Sequence, residues 1–336
     1  MINKKTKFCK AAALLGAAVM MISALAGCGK NTKVVLTAGL KKNEVFRISS
    51  ASCMLPEVMV YLTNMQNQYE SVYGSQIWNA SDGQLSLEQE EREQVLTQLA
   101  RIKVMNLLAQ KKEVTLDDKE KERAAAAGRE YFTSLNSAEV TALNVTQDLI
   151  TKMYEEYALA EKVYQTIVEN VNPEVSDDEA RTITVDMIRV SDSAKASQVL
   201  GKAKEEGVDF ETLAQAESED QTVTQSFGKG EVSEALEKAA FNLGKDEISD
   251  VVESDGSYYI LKCISTFDEA QTKANKEKIV KQRQSEAFDT EYTAFEQTLV
   301  RQLNEELWNS VTMIHQDDVK TSSFFEVYQM YFQHQG

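Results

Sequence analysis

Few residues of this sequence could carry catalytic or metal-binding chemistry. The 336-residue chain has only two histidines, His315 and His334, and they are isolated. No Asp or Glu spacing matches a calcium-binding loop, no motif marks a catalytic nucleophile, and no glycine-rich loop could hold a phosphate. The sequence therefore predicts no metal site and no cofactor.

One cysteine stands in a context that points to a specific modification. Lysines within residues 4–10 precede an uncharged apolar run over 11–25, which is typical of a secretory signal peptide and too short for an ordinary membrane span. Residues 25–28 read LAGC, which resembles a bacterial lipobox. We therefore expect removal of 1–27, lipidation of Cys28, and an extracytoplasmic protein anchored at the outer face of the cytoplasmic membrane.

The mature chain is strongly acidic. Loss of 1–27 removes four lysines and no acidic residue, which takes the formal net charge from −17 to −21. This charge argues against nucleic-acid binding, because phosphates require a basic surface. It would keep the protein soluble or attract basic unfolded chains. Two other cysteines remain, Cys53 and Cys263; we expect two free, mostly buried thiols, with one disulfide as the alternative.

Most elements that could position functional residues have a helix-forming pattern. Apolar residues recur at three- and four-residue spacing behind Ser86 and Gln89, which match a capping box, and again after Thr146. Another helix is expected to start within 115–118, and a further one covers about 269–308. We interpret the apolar stripes as core, with a binding groove for unfolded chains as the alternative.

A mixed α and β segment follows Pro173, since proline disfavours helix in the residue before it. Alternating polarity predicts a strand over 183–188, a helix over 196–203 and a strand over 258–263. In the otherwise patternless tail from Asp317 onward, an aromatic cluster within 324–332 is expected to pack onto the body of the protein.

Five short motifs follow one another within the mixed segment. They are VDFETLA at 208–214, SED at 218–220, KAAFNL at 238–243, EIS at 247–249 and DGSYYILK at 255–262. Their order resembles that of the parvulin, or PpiC-type, peptidyl-prolyl isomerases. Together with the flanking helices and the lipobox, the chain resembles the PrsA and SurA chaperones.

The resemblance implies an α+β fold. A helical, SurA-N-like chaperone domain would surround an inserted parvulin-like domain, itself a four-stranded sheet with helices. The expected boundaries are a signal peptide over 1–27, the chaperone domain over 28–177, the parvulin-like domain over 178–267, and a C-terminal helix and tail over 268–336 that pack on the chaperone domain.

The resemblance also implies a polar site, at which this chain departs from the family. Parvulins accelerate rotation about X–Pro bonds with two histidines on neighbouring strands and a Cys or Asp from a loop. Here the first histidine position falls on Asp186 or Met187, depending on register, and the second falls on Tyr258. Asp220 matches the loop position, with a loop-capping role as the alternative.

The apolar cup that holds the proline ring in the family is altered too. Its positions carry Phe227, Val232 and Leu236, where Leu, Met and Phe are common. These side chains stay apolar, so a hollow is possible, although Phe227 and Leu236 are equally compatible with a purely structural core.

We therefore predict a folding factor that holds unfolded, newly secreted polypeptides, with reduced or absent isomerase activity. One alternative is an active isomerase in which Asp220 and Tyr258 replace the usual polar cluster. Another is a surface lipoprotein that serves one dedicated protein partner. The sequence carries no signal for an oligomeric state.

Overall fold

The computed structural model describes residues 39–81 and 86–333. The predicted signal peptide and Cys28 lie outside the described residues, as does His334. The chain divides into two compact units: unit 1 comprises Met1–Glu169 and Ala287–Gly336, and unit 2 comprises Asn170–Glu286. The predicted parvulin-like segment, 178–267, falls within unit 2, and its boundaries stay a prediction.

The described residues form twelve α-helices and seven strands. In chain order up to the end of unit 2 they are β1 (Glu44–Ile48), β2 (Ala51–Met54), α1 (Leu55–Tyr73), a 3-10 helix (Ser75–Asn79), α2 (Leu87–Lys111), α3 (Asp118–Ser134), α4 (Ser137–Leu143), α5 (Gln147–Val168), α6 (Asp177–Ala180), β3 (Thr182–Val190), α7 (Ser193–Ala203), α8 (Phe210–Glu217), β4 (Thr224–Gly228), α9 (Glu234–Phe241), β5 (Val252–Ser254) and β6 (Ser257–Ser265). The boundary between the units then falls within α10 (Glu269–Glu296), which is followed by β7 (Arg301–Leu303), α11 (Glu305–Asn309) and α12 (Phe324–Phe332).

Local capping explains where the helices of unit 1 begin. Ser86 Oγ accepts a hydrogen bond from the N–H of Gln89 at 3.2 Å, and the Gln89 side chain returns one from the Ser86 N–H at 3.0 Å. This confirms the predicted capping box of α2. Thr146 caps α5 as expected, whereas α3 is capped by Asp117. The predicted stripe on α2 is buried throughout, at Val95, Leu99, Ile102, Met105 and Ala109.

A three-stranded sheet in unit 1 corrects two predictions of helix. The order is β2-β1-β7, all antiparallel, with Phe46 opposite Leu303. The predicted helical domain, 28–177, therefore also contains strands, and the single helix predicted over 269–308 ends at Glu296, with β7 and the short α11 after it. The apolar spacing near Leu303 resembles a helix, but pairing with a strand some 250 residues earlier decides the conformation, and no local pattern reveals it.

Unit 2 is built on a four-stranded antiparallel sheet of order β4-β3-β6-β5. The predicted α+β class, with its four-stranded sheet, is confirmed. Cys53 and Cys263 are free and buried, as expected, and burial raises the pKa of both thiols. Within the described ranges, none of the helices is both long enough and apolar enough to cross a membrane.

Candidate functional site

Side-chain alternation along β3 and β6 places the predicted site residues on two faces of the sheet. Met187 lies opposite Leu261, and both join the apolar cluster that packs against α9. Ile188 lies opposite Ile260, and both join the cluster that packs against α7 and α8. Because successive residues of a strand point to opposite sides, the sheet has an α9 face and an α7/α8 face.

The three predicted cup residues lie together on the α9 face. Phe227 of β4, Val232 before α9 and Leu236 of α9 belong to one apolar cluster with Met187 and Tyr259. Phe227 and Leu236 are only 5% and 8% exposed, whereas Val232 is half-buried. The side chains of Phe227 and Leu236 are therefore packed into this cluster, and little of their surface faces solvent.

Two of the predicted polar residues lie on the other side of the sheet. Tyr258 is opposite Val190 and packs with the apolar cluster of the α7/α8 face. Asp186 has the same strand parity as Val190 and is buried, and its Oδ1 accepts a hydrogen bond from Thr224 Oγ1 at 2.6 Å. The structure therefore does not bring Asp186 or Tyr258 to the cup, because one step along a strand reverses the side-chain direction.

Asp220, in the loop between α8 and β4, does reach the rim of the α9 face. Its Oδ1 accepts a hydrogen bond from Arg189 Nε at 2.7 Å, and the two side chains are 33% and 28% exposed. Arg189 lies opposite Tyr259 in the β3–β6 pairing. The hydrogen bond to Asp220 raises the pKa of Arg189, so the guanidinium stays charged. Asp220 is therefore held in an ion pair beside the cup.

This arrangement can bind apolar groups more readily than it can perform proton chemistry. Both histidines of the chain lie outside 170–286, so the α9 face has no imidazole. The polar groups beside the cup include the Tyr259 hydroxyl, the Arg189–Asp220 pair and the hydroxyls of Ser233 and Ser254. Both Tyr259 and Arg189 can donate hydrogen bonds to a peptide carbonyl. Such donors orient a bound chain without requiring a change of protonation.

Arg189 and Tyr259 were missed by the sequence analysis. The signal that could have found them is strand parity: each stands two residues from an apolar residue of the α9 face, Met187 and Leu261. Met187 and Tyr259 therefore lie on the same face as the predicted cup residues, whereas Asp186 and Tyr258 do not. The sequence alone left the register open for the first position, between Asp186 and Met187, and placed the second on Tyr258, because either parity fits an apolar strand buried on both faces.

Comparison with known proteins links this sheet to one family. Residues 161–278 match the PPIC-type PPIASE domain. The foldase protein PrsA of Streptococcus pneumoniae (strain Hungary19A-6) is 31% identical over 165 residues, which cover 44% of this chain and 53% of that protein. The chain thus spans about half the length of the curated relatives that it matches. These matches confirm the resemblance predicted from the motifs.

Two solved structures are similar to this chain at low sequence identity. The peptidylprolyl isomerase PrsA from Bacillus cereus has 19% identity over 72% of this chain and 91% of its own, with a TM-score of 0.37. A SurA-like chaperone of Campylobacter jejuni has 10% identity over 77% of this chain and 98% of its own, with a TM-score of 0.30.

Proposed function

We propose that this chain, which carries a PPIC-type parvulin domain and is similar in sequence to the PrsA foldases, assists the folding of secreted polypeptides by holding their exposed apolar segments. In this proposal its isomerase activity is reduced or absent. The domain match and the foldase relative support the class of function. The level of isomerase activity is inferred from the residues of this chain.

The packed cup is the observation that carries the proposal of low isomerase activity. Isomerases of this kind must favour the twisted amide over the planar one, which requires a fitted pocket and polar groups aimed at the amide. Here Phe227 and Leu236 are packed into one apolar cluster with Met187 and Tyr259, and no histidine occurs between residues 170 and 286. Holding an unfolded chain requires neither feature.

An active isomerase is the second candidate, and one observation favours it. The Arg189–Asp220 pair lies beside the cup, with Asp220 at the position that the family fills with Cys or Asp. If this pair replaced the histidine cluster, Asp220→Ala would abolish catalysis. The same substitution would leave the binding of unfolded chains nearly unchanged if the pair is only a partly exposed ion pair.

Holding activity should be broad. We expect the mature chain at roughly equimolar ratio to suppress light scattering by several unrelated unfolded proteins, because exposed apolar surface is common to all of them. The assay compares reduced lysozyme, thermally unfolded citrate synthase and reduced insulin. Suppression of none of them, together with stable capture of one particular protein, would support a dedicated partner instead.

The proposed lipid anchor depends on Cys28. We expect Cys28→Ala to lose lipid labelling almost completely, and the protein to appear in the medium or as the uncleaved precursor, because Cys28 is the thiol that would be acylated. Metabolic labelling with radioactive palmitate measures this. Cys9→Ala is the matched control, since it removes a thiol within the predicted signal peptide and should keep the label. Persistent label on Cys28→Ala would contradict the anchor.

A further inference from the structure

A segment of unit 1, residues 311–323, forms neither helix nor strand and is here called the strap. Its side chains alternate at the start: Val311 and Met313 are buried, whereas Thr312 between them is exposed. Val319 is buried again, at 1% exposure. The strap leads directly into α12. It therefore lies on unit 1 as an irregular segment with apolar anchors, interrupted by a turn in which the Val319 N–H donates to the Gln316 carbonyl at 3.1 Å.

Amide side chains of α1 contact the main chain of the strap. Gln66 accepts a hydrogen bond from the Ile314 N–H at 3.0 Å and donates one to the Ile314 carbonyl at 2.9 Å. One side chain thus forms hydrogen bonds with both main-chain groups of a residue, as a neighbouring strand would. Gln68 donates to the carbonyl of Ser322 at 3.1 Å.

The far end of the strap is held in the same way. Glu139 of α4 accepts hydrogen bonds from the N–H groups of Lys320 and Thr321, at 2.9 and 2.7 Å. Asn67 donates to the Thr321 carbonyl at 2.9 Å. Burial alone would raise the pKa of Glu139, but main-chain N–H groups, including those of the strap, lower it below its ordinary value. The carboxylate is therefore a charged acceptor for the strap.

Contacts to main-chain groups do not depend on the sequence of the strap. Every extended residue other than proline offers the same N–H and carbonyl groups, and recognition of this kind gives affinity without selecting side chains. A segment that only has to pack in one place does not need contacts that are independent of its sequence. A site that binds varied unfolded polypeptides does need them.

An aromatic socket receives the residues that follow the strap. Phe324 stacks on Tyr154 with ring centroids 4.5 Å apart, and Phe325 meets Tyr61 edge-on at 5.1 Å. Phe324 is fully buried, and its N–H donates to Asn64 Oδ1 at 2.9 Å. Rings of this kind accept different apolar side chains in offset or edge-on geometry. The socket thus supplies binding energy with little selectivity.

We propose that the strap and the start of α12 occupy the client site of unit 1 in cis, and that an extended polypeptide segment with aromatic side chains binds there when the strap is released. This inference rests on the proposed function and adds a site and a competitor to it. The strap lowers the apparent affinity for a client in proportion to the fraction of molecules in which it is released.

The test weakens the strap while leaving the groove intact. Val319→Ala removes buried methyl groups from the strap alone, and Val104→Ala on α2 is the matched control, because Val104 is equally buried and both changes destabilise the core. The probe is reduced, carboxymethylated α-lactalbumin, which stays unfolded. We expect Val319→Ala to bind it at least about fivefold more tightly than the parent, and Val104→Ala to bind like the parent.

A second measurement separates the possible results. A synthetic peptide of residues 311–332 should compete with the client on Val319→Ala, and Ile314→Ala serves as the milder variant if Val319→Ala loses its far-UV circular dichroism. Equal affinities for the strap variant and Val104→Ala, or no competition by the peptide, would overturn the client site while leaving the proposed function in place. If the parent and both variants bind no client, the proposed function fails and the client site fails with it.

Discussion

Proline isomerisation by the full chain should be at least about a hundredfold slower than by a parvulin that has both histidines, which corresponds to a loss of about 3 kcal/mol of transition-state stabilisation. The reason is geometric. We propose that Met187 and Tyr259 take the two imidazole positions on the α9 face, where Phe227 and Leu236 are packed into the same apolar cluster. A protease-coupled assay with an Xaa-Pro peptide measures the rate, and aggregation suppression is measured on the same preparation.

Restoring the imidazoles tests which positions face the cup. We expect Met187→His/Tyr259→His to increase isomerisation by roughly tenfold or more over the parent, because polar groups aimed at the amide favour its twisted form over the planar one. Asp186→His/Tyr258→His is the matched control. It adds the same two side chains one residue away, on or toward the α7/α8 face, and should not raise the rate.

Two results would contradict this interpretation. A parent rate near that of an ordinary parvulin, lost in Asp220→Ala, would make the Arg189–Asp220 pair catalytic and the protein an isomerase. Activation by the control pair alone would place the cup on the opposite face of the sheet.

Lys103→Met should destabilise unit 1 by about 3–5 kcal/mol, because it leaves a buried carboxylate without its cation. Lys103 and Glu57 are each 1% exposed, and Lys103 Nζ lies 2.5 Å from Glu57 and 2.6 Å from Glu156. These contacts join α1, α2 and α5. Urea unfolding followed by circular dichroism measures the change in the transition of unit 1.

Two control variants distinguish the effect of an unpaired buried carboxylate on stability from the effect of losing any lysine charge. Lys112→Met breaks the half-exposed pair with Glu291 and should cost no more than about 1 kcal/mol. Lys103→Met/Glu57→Gln should recover part of the lost stability, since it also removes the buried carboxylate that Lys103→Met leaves unpaired. Equal effects of Lys103→Met and Lys112→Met would show that the buried pair has no special role.

The pH dependence of this pair follows from the sign of the shift. Burial by itself would lower the pKa of Lys103. The charges of Glu57 and Glu156 together have the larger, opposite effect, so the pKa lies above its ordinary value. A raised lysine pKa stabilises the fold fully below the unfolded value of about 10.4, and the contribution is lost as the pH rises through the folded value. The Lys103 contribution should therefore be constant near neutral pH and decrease only in strongly alkaline solution.

The sequence by itself determined the features that depend on local chemistry. The capping box at Ser86 and Gln89, the buried stripe of α2 and the strand at 183–188 were predictable, because capping and hydrophobic periodicity act within a few residues. The order of short motifs was enough to indicate the PPIC-type segment. The absence of histidine from that segment also follows directly from the sequence.

Only the tertiary structure decided which side chains meet. The strand register placed Tyr259 rather than Tyr258 at the cup, and it brought Arg189 to Asp220. The pairing of β7 with β1 determined a strand where the local pattern predicts a helix. The strap forms hydrogen bonds with residues of α1 that lie more than 240 residues earlier in the chain. Each of these contacts joins groups that are distant in sequence. Their formation depends on the closure of long loops and on the packing of the whole unit, which local residue patterns do not encode.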